Sequence, residues 1–239
     1  MIELFIADLH LPIINEKAYS IMQTYLNNKS IKPDIIVLGG DIIDFESVSN
    51  YLHSPEKYNT QMELDLLEGF LAKLQATYLS AKIIYLEGNH ERRLKNYILR
   101  HASALYQVVD LGERIKSYGI EYISNWDRMT EGKMPLKIGK LYHLHGHELK
   151  IGGYKNIAER VYYKTFSNTI AGHWHKTGEF FQRTLSAKIR GVWTVGCMSN
   201  TYVDYSPRTD WNNGFAIIDY LDNGFFQVSN LKIIENTVM

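Results

Sequence analysis

Short apolar runs, each closed by glycine or a polar cluster, recur along the first half of the chain. The clearest is Ile35-Ile36-Val37-Leu38, which leads into Gly39-Gly40-Asp41-Ile42-Ile43-Asp44-Phe45. It has the pattern of a buried strand, and paired glycines end such a strand and let backbone come close to another group. Residues 1–7 and 82–86 read the same way. Between the first two runs, Ile14, Ala18, Ile21, Met22, Tyr25 and Leu26 fall at helical spacing. Strand, helix and strand in that order predict a parallel, neighbouring pair. Residues 60–79 predict the longest amphipathic helix, with Met62, Leu66, Leu67, Phe70, Leu71, Leu74 and Tyr78 inward. A further helix is expected after the Glu87-Gly88-Asn89-His90-Glu91 cluster, through Arg100.

The pattern weakens over residues 101–135, and with 46–59 this stretch reads as a loop insertion over a site. A hairpin is predicted around Gly139-Lys140, a helix over 153–166 and a strand over 167–171. Residues 178–195 and 214–234 alternate as strands, with turns at Asn212-Asn213-Gly214 and Asp222-Asn223-Gly224. No repeat or linker divides the chain, so residues 1–239 are expected to form one domain. An early β-α-β half and a late β half point to an α/β fold of two packed sheets with helices outside.

Composition adds boundaries. The chain has no net charge, 45% hydrophobic residues and one cysteine, Cys197. That describes a soluble globular protein with no overall attraction to nucleic acid or membranes, and it excludes disulfide frameworks and thiolate zinc sites. Cys197 reads as a small buried residue. Without a signal segment or an apolar run near the ~20 residues of a membrane helix, a cytoplasmic location is expected.

Candidate chemistry lies where the strands end. Asp8 and His10, Asp41 and Asp44, Asn89 and His90, His145 and His147, and His173 and His175 each follow an apolar run. Six of the nine histidines fall in these clusters, whereas His53, His101 and His143 belong to no motif. Oxygen and imidazole donors without thiolate suit Mn²⁺, Fe or Zn²⁺. Residues two apart in extended chain face the same way, so Asp8 with His10, and His173 with His175, present paired donors. Taken singly, each cluster is equally a capped turn or a surface hairpin.

Together, Asp8-Leu9-His10, Gly40-Asp41-Ile42-Ile43-Asp44, Gly88-Asn89-His90-Glu91, His145-Gly146 and Gly172-His173-Trp174-His175 resemble the five signature blocks of calcineurin-like metallophosphoesterases, in the family's order. The resemblance implies a four-layer α/β/β/α sandwich of two mixed sheets with a dinuclear metal site at strand ends. By position it implies that Asp8, His10, Asp41 and His175 hold one metal. Asp41, Asn89, His145 and His173 would hold the other, with His147 an alternative to His145. His90 would contact the phosphate and help the leaving oxygen, with Asp44 orienting it. Two divalent ions, Mn²⁺ favoured and Fe, Zn²⁺ or Ni²⁺ as alternatives, would share a hydroxide that attacks the phosphate ester in line.

The substrate is less legible. Protein phosphatases of the superfamily carry Arg-Gly directly after the second aspartate, where this chain has Phe45-Glu46. The segment from Gly196 through Tyr202-Val203-Asp204-Tyr205 to Phe215 resembles compact phage-type phosphoesterases. Residues 92–116 hold six basic against two acidic residues, a candidate grip for a polyanion or simply a solvated face. Arg92, Arg93, His147 and Trp174 are substrate candidates, and Tyr51, Tyr58, Trp126 and Trp174 candidates for stacking a base. The expectation is a phosphodiesterase or nuclease acting on nucleotides or nucleic acid, with no membrane or obligatory protein partner. A phosphomonoesterase for a small molecule or phosphoprotein is the first alternative, and a non-catalytic scaffold the second.

Overall fold

The computed structural model describes residues 1–50, 59–152, 155–202 and 209–239. His53, Tyr51, Tyr58 and Val203-Asp204-Tyr205 lie outside the described residues. The first half alternates as β1 (Ile2–Ile6), α1 (Glu16–Asn28), β2 (Ile35–Leu38), α2 (Thr60–Thr77), β3 (Lys82–Leu86), α3 (Asn89–His101), α4 (Leu111–Lys116), β4 (Glu121–Ile123) and α5 (Asn125–Thr130). The second half holds β5 (Lys137–Ile138), β6 (Leu141–Leu144), α6 (Ile157–Thr165), β7 (Thr169–Ala171), β8 (Gly178–Arg183), β9 (Ile189–Thr194), β10 (Asn213–Tyr220), β11 (Phe226–Ile234) and β12 (Thr237–Val238).

Two mixed sheets result. One has the order β12-β11-β10-β1-β2-β3-β4 and the other β5-β6-β7-β9-β8. β1, β2, β3 and β4 run parallel, as crossover helices require, while β10 joins β1 antiparallel. Side-chain alternation divides the core. Leu4, Ile6, Ile36, Leu38, Ile83 and Tyr85 pack under α1, α2 and α3, whereas Phe5, Ala7, Val37, Ile84 and Leu86 face the second sheet. α6 covers the outer face of the second sheet through Ile157, Val161 and Tyr162 against Val192. The layers are α/β/β/α, with both sheets mixed and helices on the flanks.

Three expectations change. Residues 101–135 hold regular structure beyond the expected loop: β4 pairs with β3 through Ile84↔Glu121 to Leu86↔Ile123 and adds the edge strand of the first sheet. The inner stripe of α2 is rotated. Met62 and Leu66 are exposed, while Glu63 and Leu64 are buried. Glu63 turns inward because it accepts from the Glu46 amide and Ser47 hydroxyl, backing the turn after Asp44. Asn213 and Gly214 lie inside β10 rather than in a turn, since the Asn213 side chain donates to the Cys197 and Ser199 carbonyls. His143 is a core histidine that bridges the sheets, 2.8 Å from Glu3 Oε1, with Tyr220 donating to the same carboxylate. Among the described residues no helix is long and apolar enough to cross a membrane.

Candidate metal centre

The strand ends of both sheets meet at one edge. β1 delivers Asp8 and His10, β2 delivers Asp41 and Asp44, and β3 runs into Asn89 and His90 on the first turn of α3. The second sheet supplies His145 and His147 after β6, and His173 and His175 after β7. Their pairing does not come from extended chain. Asp8, His10, Asp41, His173 and His175 all have positive φ, between 50° and 73°. Non-glycine residues avoid this left-handed region, and such strain persists only where surrounding contacts impose it. Each turn twists its side chain toward the common centre.

Backbone bonds from Asp8 to Gly40 and from His10 to Asp41, and the His173 amide on Asp8 Oδ2, hold several of these turns, and two buried glutamates brace the loops around them. Glu91 accepts from the amides of Asp41, Ile42 and Gly88 and from the Tyr85 hydroxyl, at 2.7–3.0 Å. It thereby ties the loop after β2 to the start of α3. Glu148 does the same for the loop after β6, accepting from the His145 and Gly146 amides. Their only sequence signal is a glutamate a few residues past a glycine, common in any helix start. Gly88 is required by close approach, because a Cβ there would overlap Asp41 Oδ1 and the Asp41 amide.

Two groups of donors are linked through Asp41, by a third group that it forms with His10 and His90. Asp8, His10 and His175 lie together, with His175 Nε2 3.3 Å from Asp8 Oδ1 and 3.1 Å from His10 Nε2. Asp41, His145 and His173 form the other group, and His145 Nε2 is 3.1 Å from both Asp41 Oδ2 and Asn89 Oδ1. His10 Nε2 is 3.9 Å from Asp41 Oδ2, which joins the halves. Hydrogen bonds orient the rings. His10 Nδ1 donates to Asp44 Oδ1, and His145 Nδ1 donates to the Gly39 carbonyl, both at 2.8 Å. With Nδ1 committed to an acceptor, each Nε2 points its lone pair into the centre. Lone pairs and carboxylate oxygens that converge without donors need a cation among them. The buried Asp8 Oδ1 and His175 Nδ1 lack a hydrogen-bond partner, and the donor set is the hard oxygen and imidazole kind that suits Mn²⁺, Fe or Zn²⁺.

Electrostatics carries the same imprint. Burial opposes ionisation of Asp41, yet His145 and His90 hold it well below the carboxylate range. Burial pushes His145 down, but Asp41 outweighs it and lifts the imidazole to about 10. Burial and then His145 hold His173 at about 4 and His147 at about 2. A proton on His145 thus stands where a cation would bind. Raised from 6.5 to about 10, this proton is present across neutral pH and must leave when metal enters. Mn²⁺ or Zn²⁺ affinity of the metal-free chain is therefore expected to rise with pH from 6.5 to 9, by up to about tenfold per unit. Calorimetry in buffers of differing ionisation enthalpy checks this, and a flat affinity without proton release contradicts it.

His90 sits at the rim. Its Nδ1 lies 2.8 Å from Asp44 Oδ1 and 2.7 Å from the Asp44 carbonyl, and its Nε2 is 3.8 Å from Asp41 Oδ2. Burial lowers its pKa, but Asp41 and Asp44 raise it overall. Asp44 bonds His10 as well as His90, so it braces both groups at once.

The remaining candidates separate. His147 is buried with both ring nitrogens unpartnered, and it stacks on Trp126 at 5.5 Å, beside the ligand cluster rather than in it. Trp174 is a wall, packed with α6 and donating to the Ile151 carbonyl. Trp126 is covered by His147, Arg92 and Lys150, which argues against a base platform there. Arg92 is not aimed at the site: it pairs with Glu87 and Asp127. Lys95 pairs with Asp127, Arg114 with Glu68 and Lys116 with Glu113, so most of the basic stretch is neutralised. Trp211, half-buried with its ring 4.1 Å from that of His175, was not singled out as a site residue from sequence. Cys197 is buried, and burial pushes its thiol up to about 12.

A family model described as calcineurin-like phosphoesterase matches residues 4–192. The Gene 54 protein of Mycobacterium phage D29 is 24% identical over 185 residues, covering 72% of this chain and 68% of the relative. The Gene 54 protein of Mycobacterium phage L5 is 22% identical over 232 residues, covering 89% and 86%. Among solved structures, Vps29 of Chaetomium thermophilum aligns with a TM-score of 0.49 at 11% identity, covering 100% of this chain and 95% of that one. A dimetal phosphatase from Danio rerio gives 0.43 at 13%, covering 93% of each. Nuclease MPE of Pseudomonas putida gives 0.39 at 11%, covering 90% and 83%.

Proposed function

The chain belongs to the calcineurin-like phosphoesterase family, and from that premise we propose that it hydrolyses a phosphodiester, of small nucleotide type, at the site centred on Asp41. The observation that carries the reading is the convergence of two donor groups on one carboxylate, with His90 hydrogen-bonded at their rim. Asp8, His10, Asp41 and His175 would hold one divalent ion, and Asp41, Asn89, His145 and His173 the other, Mn²⁺ being favoured. Such a pair supplies water activation and neutralisation of phosphate charge.

The chain's own residues supply the rest. Asp44 fixes the His90 ring through Nδ1, and Nε2 lies at the rim of the site beside Arg93 Nη2. From there His90 donates a proton, or a hydrogen bond, to the departing oxygen, and the carboxylates around it favour the protonated form that this role needs. The walls formed by Trp126, His147 and Trp174 border the half of the site around His145 and His173.

Two observations favour a small diester. A diester carries one charge where a monoester carries nearly two at neutral pH, and the position directly after Asp44 holds buried, apolar Phe45 rather than a cation. The ion pairs within residues 92–116 also cancel most of a track that a polynucleotide would follow. The test compares bis-p-nitrophenyl phosphate with p-nitrophenyl phosphate under Mn²⁺. A higher kcat/KM for the diester is expected, and a higher value for the monoester overturns the diester assignment.

A further inference from the structure

Arg92 and Arg93 are neighbours on α3 but are turned to different ends. Arg92 points away into its two carboxylates. Arg93 reaches back across the first turn of the helix. Its Nη1 donates to the Asp44 carbonyl at 3.0 Å and the Phe45 carbonyl at 3.4 Å, and its Nη2 lies 3.2 Å from His90 Nε2. Among the described residues no carboxylate forms an ion pair with it. It is a half-buried cation, clamped by carbonyls through Nη1 and set against His90 at the rim of the site through Nη2.

We propose that Arg93 is the phosphate-anchoring residue of this site, its Nη2 edge holding a non-bridging oxygen of the ester whose leaving oxygen faces His90. This rests on the phosphate-ester reading above. Three observations lead to it. An oxygen seated on the Arg93 side of His90 Nε2 is within hydrogen-bonding reach of Nη2 as well, because the two nitrogens are 3.2 Å apart. The two carbonyls hold the planar fork in place before substrate arrives, so little side-chain freedom is lost on binding. Among the described residues of the loop that Arg93 clamps there is no other cation: Phe45 is fully buried and the amide of Glu46 is turned to Glu63. The positive end of α3, which begins at Asn89, adds to the same field.

The test titrates inorganic phosphate into Mn²⁺-loaded wild type, Arg93→Ala and Arg93→Lys by calorimetry, with metal content and bis-p-nitrophenyl phosphate kinetics measured alongside. Losing a charge-assisted hydrogen bond is expected to weaken phosphate binding by about ten- to a hundredfold in Arg93→Ala. KM should rise by a similar factor with a smaller change in kcat, and metal content should be unchanged. Arg93→Lys should recover part of the affinity, since it keeps the charge but not the fork. Unchanged phosphate affinity in Arg93→Ala overturns the proposal, as does a loss that tracks loss of metal, or a wild type that binds no phosphate. Wild type that binds phosphate through Arg93 yet hydrolyses neither ester overturns the hydrolytic reading and leaves the anchor standing.

Discussion

Asp41→Asn is expected to lose turnover and metal together. kcat/KM toward bis-p-nitrophenyl phosphate should fall on the order of a thousandfold or more, because removing a metal removes several kcal/mol of charge stabilisation in the transition state. Bound metal should fall from two ions per chain to one or none. Asp41 is the carboxylate common to the groups formed with His10 and with His145 and His173. Its Oδ2 faces both halves, while its Oδ1 accepts from the His90 amide at 2.8 Å. Asparagine can keep the second contact and the shape, so the charge alone is removed. The fold should survive, because Glu91 still holds the loop amides. Two tightly held ions with near-normal turnover in the variant would remove Asp41 from its central place.

His90→Ala should instead separate metal binding from chemistry. Its Nδ1 is committed to Asp44, and although its ring lies close enough to His10 and Asp41 to form a donor group with them, the proposed assignment gives it neither metal. Loss of a general acid lowers kcat by about a hundred- to ten-thousandfold, with both metals retained. The loss should be largest for poor leaving groups, since p-nitrophenolate departs with little help. Comparing p-nitrophenyl with phenyl diesters is therefore decisive. Equal slowing for both esters, or loss of a metal ion, would move His90 from acid to structural support or ligand. Asp44→Asn should act more widely, because Asp44 also holds His10 Nδ1.

Much of this arrangement was legible in the chain, for a physical reason. Buried parallel strands read as continuous apolar runs, so their ends are sharply marked in sequence. Polar residues just past those ends then fall at one edge of a sheet, where α/β proteins collect ligands. That is why Asp8, Asp41, Asn89, His145 and His173 could be gathered from separated motifs before their geometry was known. Strand alternation does not produce the pairs, however. Asp8 and His10 meet the site through left-handed turns, and periodicity carries no information about backbone held by tertiary contacts.

Other features depend on long-range partners. α2 is rotated because Glu63 accepts from an amide and a hydroxyl 17 and 16 residues away in sequence, so Met62 and Leu66 face solvent despite their spacing. Arg92 and Arg93 look equivalent in sequence. Only the arrival of Asp127 from α5 on one side, and of the Asp44 carbonyl on the other, separates an ion-paired arginine from one facing the site. The same holds for 101–135, where β4 has three residues and too little pattern to announce itself, yet it pairs in register with β3.

The most direct test of the central claim is a Mn²⁺ titration of chelator-stripped protein, followed by hydrolysis of bis-p-nitrophenyl phosphate. Two donor groups joined through Asp41 predict no turnover in the stripped chain and a rise that saturates at two equivalents per chain. Saturation at one equivalent, or no turnover of this diester at any loading, would contradict it.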